Sequence, residues 1–251
     1  MVKCVRTLAM AGAVSLLVTS AVAAQPGTGP REKVNQRFTT RHPGSATGLG
    51  LTARFHAAGD PKGPPPYLER MVFNPPGRMH YDTSVPEQCS APDAELRVMG
   101  PGACPAGSLI GSGTTEGLLQ VPVGSGFTFD HFHHHVYLMN NANEQILLIH
   151  SEGYTVVRGE IRPNGSSVWN TPTCFPAPPT GCVDDNVLQL KSSTAIAPYK
   201  RTVGGHVKSY ATTPGKCPRR GYWRTKVRLW WSNGKVDHVV SRQPCRRPHK
   251  R

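Results

Sequence analysis

Six of the seven cysteines fall into three close-spaced pairs, and this spacing constrains the fold more than any other feature of the chain. Disulfides persist outside the reducing cytosol, and each pair brackets a short loop or hairpin. We therefore expect nearest-neighbour cross-links, since they are the most economical pairing. Because the chain has no Cys-x-x-Cys spacing, the competing interpretation, a zinc cluster, is disfavoured. The predicted disulfides are Cys89–Cys104, Cys174–Cys182 and Cys217–Cys245.

Residues 1–24 have the composition of a secretory signal peptide. Lys3 and Arg6 form the charged start, an apolar stretch follows over residues 8–18, and residues 21–23 (Ala-Val-Ala) form a small-residue cleavage site. The apolar stretch is shorter than the roughly 20 residues of a membrane span, and no later stretch is long enough. We therefore expect a secreted, extracellular protein without a transmembrane segment after cleavage, one that can associate with the cell envelope.

Alternating apolar residues predict a series of short strands. Leu49, Leu51, Ala53 and Phe55 alternate with small or polar residues, which is the period of a half-buried strand. The 26 glycines and 24 prolines punctuate the chain, and no helical period is convincing. This pattern indicates an all-β sandwich or barrel, and we predict a single antiparallel β-sandwich of jelly-roll or Ig-like type. Further strands are predicted at residues 68–73, 127–139, 145–150, 154–162 and 186–192.

The chain divides into four parts. Residues 25–45 are polar and aperiodic, so we interpret them as a disordered leader. The sandwich domain then covers residues 46–245, and residues 246–251 form a basic tail. Within the domain, the Gly111-Ser112-Gly113 segment is interpreted as a turn beside a strand.

A hairpin is predicted near the end of the domain. Asn233-Gly234 is the preferred pair for a two-residue type I′ turn. Folding about this turn places Trp231 opposite Val236, and the same register pairs residue 229 with 238, 227 with 240 and 222 with 245. These inward positions, with Trp223 and Thr225, are predicted to be core. Cys217–Cys245 would then close the open end of the hairpin.

The opposite face of this hairpin is basic and aromatic. Residues 200–251 hold 15 of the 29 Lys and Arg residues but only one of the 15 Asp and Glu residues, so they carry the whole formal net charge of +14. Such asymmetry indicates an anionic partner: a cell-wall polymer, an acidic glycan or a lipid headgroup, with nucleic acid disfavoured by export. Cations can pair with phosphates or uronates, and rings can stack on sugars. The predicted binding residues are Tyr222, Arg224, Lys226, Arg228 and Trp230. The alternative to a binding site is an ordinary solvated strand face.

Several motifs resemble a group of secreted, disulfide-bonded β-sandwich proteins of unknown function from actinobacteria, the high-GC Gram-positive bacteria. They are the strand before Phe73-Asn74-Pro75-Pro76-Gly77, the segment from Cys104 to Gly113 after Cys89, and Thr213-Pro214 leading to Cys217-Pro218 and the final hairpin. The resemblance implies an exported envelope or extracellular protein with a single sandwich. It implies no activity and no catalytic residues.

The histidine run Asp130–His135 is a candidate metal site. In a strand, His131, His133 and His135 project from one face, and neighbours two apart lie roughly 7 Å from each other. Two adjacent imidazoles can share one zinc or copper ion, with a third ligand from elsewhere, His150 or Glu144. The alternative is a polar strand face that binds no physiological metal, and no other cofactor is expected.

Motifs for catalysis are absent from the sequence. No serine has glycine at both −2 and +2, and neither His-Glu-x-x-His nor a phosphate-binding glycine loop occurs. We therefore expect an exported, non-catalytic protein that binds an anionic polymer through the basic aromatic face. The alternatives are an extracellular zinc- or copper-binding protein and a secreted hydrolase acting on envelope glycans, with carboxylates brought together by the fold.

Overall fold

A computed structural model describes residues 32–77, 79–120, 128–150, 153–171, 175–177, 181–183 and 186–246. The predicted signal peptide, the side chains of the Cys174–Cys182 pair and the tail beyond Arg246 lie outside the described residues.

The regular structure of the described chain is almost entirely β-strand, with one short helix, α1 (Asp93–Met99), and two short 3-10 turns, Gly100–Ala103 and Ala106–Ser108. The strands up to the middle of the chain are β1 (Glu32–Phe38), β2 (Leu49–Phe55), β3 (Leu68–Asn74), β4 (His80–Tyr81), β5 (Leu109–Gln120), β6 (Thr128–Asn141), β7 (Glu144–His150), β8 (Tyr154–Ile161) and β9 (Ser167–Asn170). The later strands are β10 (Phe175–Ala177), β11 (Gly181–Val183), β12 (Asn186–Ile196), β13 (Lys200–Val203), β14 (His206–Ser209), β15 (Ala211–Thr212), β16 (Tyr222–Trp231) and β17 (Val236–Pro244).

Eleven of these strands form one antiparallel sheet, in the order β1-β2-β12-β5-β6-β7-β8-β9-β3-β16-β17. The predicted all-β, antiparallel class is therefore confirmed, but the predicted sandwich is wrong in its finer detail. A twisted sheet of this many strands curls on itself rather than staying open. Its two edge strands, β1 and β17, meet, so that the sheet is nearly barrel-like and encloses its own core instead of packing against a second sheet.

Side chains close the seam between β1 and β17. Gln243 accepts a hydrogen bond from the Phe38 N–H and donates one from Nε2 to the Phe38 carbonyl (2.9 Å). Ser241 Oγ accepts from the Gln36 N–H (2.9 Å) and donates to the Gln36 carbonyl (3.2 Å). These side chains thus satisfy the backbone groups that an edge strand would otherwise leave unpaired.

Strand β1 corrects the predicted domain boundary. Residues 25–45 were expected to form a disordered leader, yet Glu32–Phe38 pairs along its full length with β2, from Glu32–Phe55 to Phe38–Leu49. Val34 and Phe38 face the core, with 4% and 6% of their surface exposed. The apolar positions of β1 are too few to predict a strand by alternation alone, but pairing with β2 and the seam to β17 bury them.

The predicted strands near residues 49–55, 68–73, 127–139, 145–150, 154–162 and 186–192 are all present, whereas β5 was not predicted. Gly111-Ser112-Gly113 lies inside β5 rather than in a turn. An added Cβ on Gly111 would lie 2.2 Å from the Ala195 carbonyl oxygen, so glycine permits the close approach of β12. Glycines that are typical of a turn here allow two neighbouring strands to pack closely.

The inner face of β16 supplies the largest core side chains. Trp223, Val227, Leu229 and Trp231 are each at most 2% exposed, and Thr225 between them is 4% exposed, as predicted. Two edge-to-face aromatic pairs connect this face to the other side of the seam: Phe38 with Trp223, and Phe55 with Trp231.

A second, smaller core lies on the outer face of β6, β7 and β8. Helix α1 buries Leu96 there against Met139, Ile146 and Leu148. The Cys89–Cys104 disulfide, predicted from spacing, is formed beside it. Arg158 on β8 then bonds both Asp93 of the helix (2.7 Å) and Glu144 of β7 (2.6 Å), which holds the helical segment on the sheet.

The β16–β17 hairpin forms, but the predicted register is one residue wrong on β17. Type I′ requires positive φ at both central residues. Asn233 does not have positive φ, whereas Gly234 does, at 75°. The connection is therefore a three-residue loop in which the Gly234 N–H donates to the Trp231 carbonyl (2.9 Å) and Trp231 pairs with Lys235.

The extra loop residue reverses every side chain of β17. The observed pairs are Trp230–Val236, Arg228–His238, Lys226–Val240, Arg224–Arg242 and Tyr222–Pro244. Val236, His238 and Val240, predicted as core, therefore lie on the exposed outer face. Asp237, Val239, Ser241 and Gln243 point inward instead, which supplies the polar groups of the seam.

The second described disulfide, Cys217–Cys245, is formed as predicted. Although Cys245 does not pair with Tyr222, its N–H donates to the Gly221 carbonyl (3.0 Å), and Cys245 packs in the core cluster that includes Trp223. The bond therefore closes the open end of the hairpin.

Replacing Gln243 with leucine should open the seam. Q243L keeps the side-chain volume but leaves the buried N–H and carbonyl of Phe38 without partners, which should lower the free energy of unfolding by about 2–4 kcal/mol. Urea denaturation measures this. Gln88→Leu is the matched control: its Nε2 donates to Thr83 O at the surface, so a change below about 0.5 kcal/mol is expected. Equal losses in both variants would contradict the role of the seam.

Removing Cys217–Cys245 should loosen the hairpin locally. C217S/C245S and C89S/C104S should each lower the free energy of unfolding by about 3–4 kcal/mol, because each bond closes a loop in the unfolded chain. Only the first should speed amide exchange at Tyr222–Arg224, measured by hydrogen exchange with mass spectrometry. Faster exchange there in C89S/C104S as well would show that no local clamp exists.

Candidate functional site

The outer face of the final hairpin presents the predicted basic aromatic residues together. Along β16 the inward residues are buried and the outward ones are half-buried or exposed. The outward set is the predicted one, Tyr222, Arg224, Lys226, Arg228 and Trp230. Because the register of β17 differs from the prediction, Arg242 and His238 join this set across the strand pair.

Strand β3 extends the face on the other side of β16. Trp230 pairs with Arg70, Arg228 with Val72, and Lys226 with Asn74. Neither Arg70 nor Arg242 was predicted as a binding residue, because neither lies on β16. The alternation of side chains along the predicted strand 68–73 was the signal that could have identified Arg70. We call the complete set the basic face: Arg70, Tyr222, Arg224, Lys226, Arg228, Trp230, His238 and Arg242.

Aromatic rings hold several of its guanidinium groups. The Arg70 and Arg228 guanidinium carbons each lie 5.2 Å from the centre of the Trp230 ring, and that of Arg242 lies 5.9 Å from the centre of Tyr222. Such cation–π contacts restrict long side chains that would otherwise be mobile. The rings thus pre-arrange the cations.

The basic face holds few carboxylates. No Asp or Glu occupies the outward positions of β16 and β17, whereas the exposed Glu69 lies beside Arg70 at the bulge of β3. In the described part of the chain, Arg70 Nε and Arg224 Nε are buried without a hydrogen-bond partner. A buried N–H donor without an acceptor is unfavourable, and an anion placed on this face would satisfy it.

The histidine run also lies as predicted, on the outer face of β6. His131, His133 and His135 are exposed, and the rings of His131 and His133 are 4.7 Å apart. His134 projects to the other face, where its ring stacks on Phe132 at 4.6 Å. Of the two imidazole pairs that the sequence allowed, the structure favours His131 with His133.

The third potential ligand is Glu116, which the sequence analysis did not identify. Glu116 lies opposite His133 on β5, and one ligand atom each from Glu116, His131 and His133 can be chosen so that all lie within 4.8 Å of one another. The candidates predicted for this role are engaged elsewhere. Glu144 bonds Arg158 and Asn141, and the His150 ring stacks on Tyr154. Only the pairing of β5 with β6 reveals Glu116, so no local signal identified it.

Glu116 is charged and already has a partner. Lys191 on β12 donates a hydrogen bond to its carboxylate, and this bond, reinforced by the charges of Lys191, His133 and His131, lowers the pKa of Glu116 although burial opposes the shift. The Nδ1 atom of His133 lies 3.7 Å from the same carboxylate. A metal ion at this cluster would compete with Lys191 for Glu116.

The chain matches no protein-family model, no curated protein sequence and no solved structure. No helix in the described ranges is both long and apolar enough to cross a membrane. The fold and sites define an all-β protein whose nearly closed sheet carries a basic face on its final hairpin. Its function is inferred from these residues alone.

Proposed function

We propose that this chain is an exported, non-catalytic protein that binds an anionic polymer of the cell envelope on the basic face. The observation that carries the proposal is the cluster of Arg70 and Arg228 around Trp230, on a hairpin whose outward positions hold no Asp or Glu. Export is supported by the composition of residues 1–24 and by the two disulfides, which persist in oxidising compartments.

The arrangement of cations suits a polymer better than a single small anion. Outward residues recur about every 7 Å along β16, and neighbouring strands are about 5 Å apart. Arg224 and Arg242 are directly paired across the hairpin, and Arg70 lies across from Trp230 on the other side. Repeated carboxylate or phosphate groups can therefore contact several cations at once, which multiplies weak contacts into useful affinity.

Half of the basic face is exposed to solvent, so packing does not explain why these positions are charged. Lys226, Arg228, His238 and Arg242 are exposed, and none of the ion pairs resolved among the described residues includes an Arg or Lys of the basic face. Like charges on adjacent strands repel one another. An anionic ligand would relieve this repulsion.

Binding should depend on the position of the charges and not on their number. R228A/R242A removes two exposed cations of the basic face and should weaken binding to polygalacturonate at least tenfold at low salt. K200A/R201A removes two exposed cations of the β13–β14 hairpin and should weaken it less than twofold. Binding is measured by surface plasmon resonance across a salt series, because release of counterions makes the affinity of the wild type fall with salt.

Other immobilised probes identify the preferred chemistry. Polyphosphate in place of polygalacturonate distinguishes phosphate from carboxylate, and neutral dextran should not bind. Equal weakening by both double variants would show non-specific attraction by net charge. Stronger binding to vesicles containing anionic lipid than to either polymer would replace the polymer by a membrane surface.

A second candidate function, binding of zinc or copper, is favoured by the proximity of Glu116, His131 and His133. One carboxylate and two imidazoles are a ligand set that both metals accept. The exposure of His131 and His133 leaves room for water or a further ligand. In this role the protein would hold a metal ion outside the cell.

Substitution of Lys191 provides a sensitive test of the metal site. K191M frees the Glu116 carboxylate, so it should strengthen zinc binding by untagged protein, measured by isothermal titration calorimetry. H131A/H133A should abolish binding, whereas H135A should change it less than threefold. If H135A weakens binding as much as H131A, or K191M has no effect, the ion is not held by these three ligands.

A further inference from the structure

The nearly closed sheet encloses a cavity, and Glu116 of the candidate metal site is the one residue of the two proposed sites that also lines it. Its volume is about 160 Å³, and residues of nine of the eleven strands line it. Different sides of the cavity are lined by Leu51 of β2, Leu147 of β7 and Met71 of β3. The cavity is therefore the interior of the sheet itself and not a surface groove.

Unequal side-chain size around the sheet produces this cavity. β16 fills its side with Trp223, Leu229 and Trp231. β12 contributes the small residues Ser192 and Thr194 to the lining, whereas none of the lining residues belongs to β16. Space therefore remains beside the small residues of β12.

The lining is mostly apolar but contains two oxygen atoms without partners. Thr155 is 3% exposed, and neither its Oγ1 nor the buried Oε1 of Gln36 has a hydrogen-bond partner in the described part of the chain. Both residues line the cavity. A buried polar atom without a partner costs about 1–3 kcal/mol, so either oxygen would be stabilised by a hydrogen bond from a ligand.

One end of the cavity is closed by buried side chains, and the lining extends along β6 towards the other end. Tyr210 and Met79 are buried in the core cluster at the end of the sheet where Leu49 and Ile196 pair. Towards the other end the lining continues to Phe132, beyond the last pair of β6 with β7, Val136–Ile149. The cavity thus extends to a part of the sheet where β6 pairs with β5 but no longer with β7.

We propose that this interior binds one small, mainly apolar molecule that carries a hydroxyl group. An apolar protein cavity of about 150 Å³ accommodates benzene, so a ligand of about 6–10 non-hydrogen atoms fits, and larger drug-sized molecules do not. The apolar body would contact Leu51, Leu147 and Met71, and the hydroxyl would pair with the free oxygen of Gln36 or Thr155.

Binding of 4-ethylphenol and ethylbenzene tests this proposal, because the two probes differ only by the hydroxyl group. The full chain, with its disulfides intact, is titrated while the indole N–H resonances are followed by NMR. Trp169 lines the cavity, whereas Trp230 lies on the outer face. We expect the Trp169 resonance to shift, the Trp230 resonance to stay, and 4-ethylphenol to bind at least tenfold more tightly than ethylbenzene.

The variant Q36L/T155V removes both free oxygens. It should bind the two probes with affinities within threefold of each other and should be no less stable than the wild type, since it removes unpaired buried polar atoms. T114V is the matched control: Thr114 is exposed, so the preference for 4-ethylphenol should persist. R228A/R242A should also bind as the wild type, which separates this site from the basic face.

The opposite results would overturn the proposal. If neither probe shifts Trp169 at millimolar concentration, the interior is not a ligand site. If the probes shift Trp230 instead, they bind the outer face. If Q36L/T155V keeps the wild-type preference, the two oxygens do not recognise the hydroxyl.

Discussion

The polar seam between β1 and β17 is the interaction on which the rest of the structure depends. An eleven-stranded sheet with free edges would leave two rows of backbone groups unpaired, and Gln243 and Ser241 satisfy those of Gln36 and Phe38 instead. Closing the seam buries β1, brings Phe38 and Phe55 against the tryptophans of β16, and encloses the interior. It also defines which face of β16 is outside, and thus where the basic face lies.

The seam depends on the length of the loop between β16 and β17, which has one residue more than predicted. With the predicted two-residue turn, His238 and Val240 would point inward and Ser241 and Gln243 would face solvent. The three-residue loop ending at Gly234 reverses β17, so the polar residues reach β1. Because strand side chains alternate, a single residue exchanges the two faces, and Asn-Gly is compatible with both loops. Sequence alone therefore predicted the hairpin and its clamp but not its register.

The three candidate sites lie on one sheet, and two of them share Glu116. The basic face lies outside β3, β16 and β17, the Glu116–His131–His133 cluster lies outside β5 and β6, and the cavity lies inside. Each depends on strand pairing in a different way. Arg70 joins the basic face through β3, Glu116 meets His133 through β5, and the cavity requires the sheet to close.

By itself the sequence determined the all-β class, eight of the eleven strands of the large sheet, two described disulfides, the inward face of β16 and the outward cations on the same strand. These follow from local rules: alternation, cysteine spacing and turn residues. Tertiary structure alone decided that the strands form a single, nearly closed sheet rather than a sandwich, that Glu32–Phe38 belongs to it, and that Arg70, Arg242 and Glu116 join the sites. The reason is that pairing between strands distant in the chain depends on twist, register and burial together, and no short window of residues contains that information.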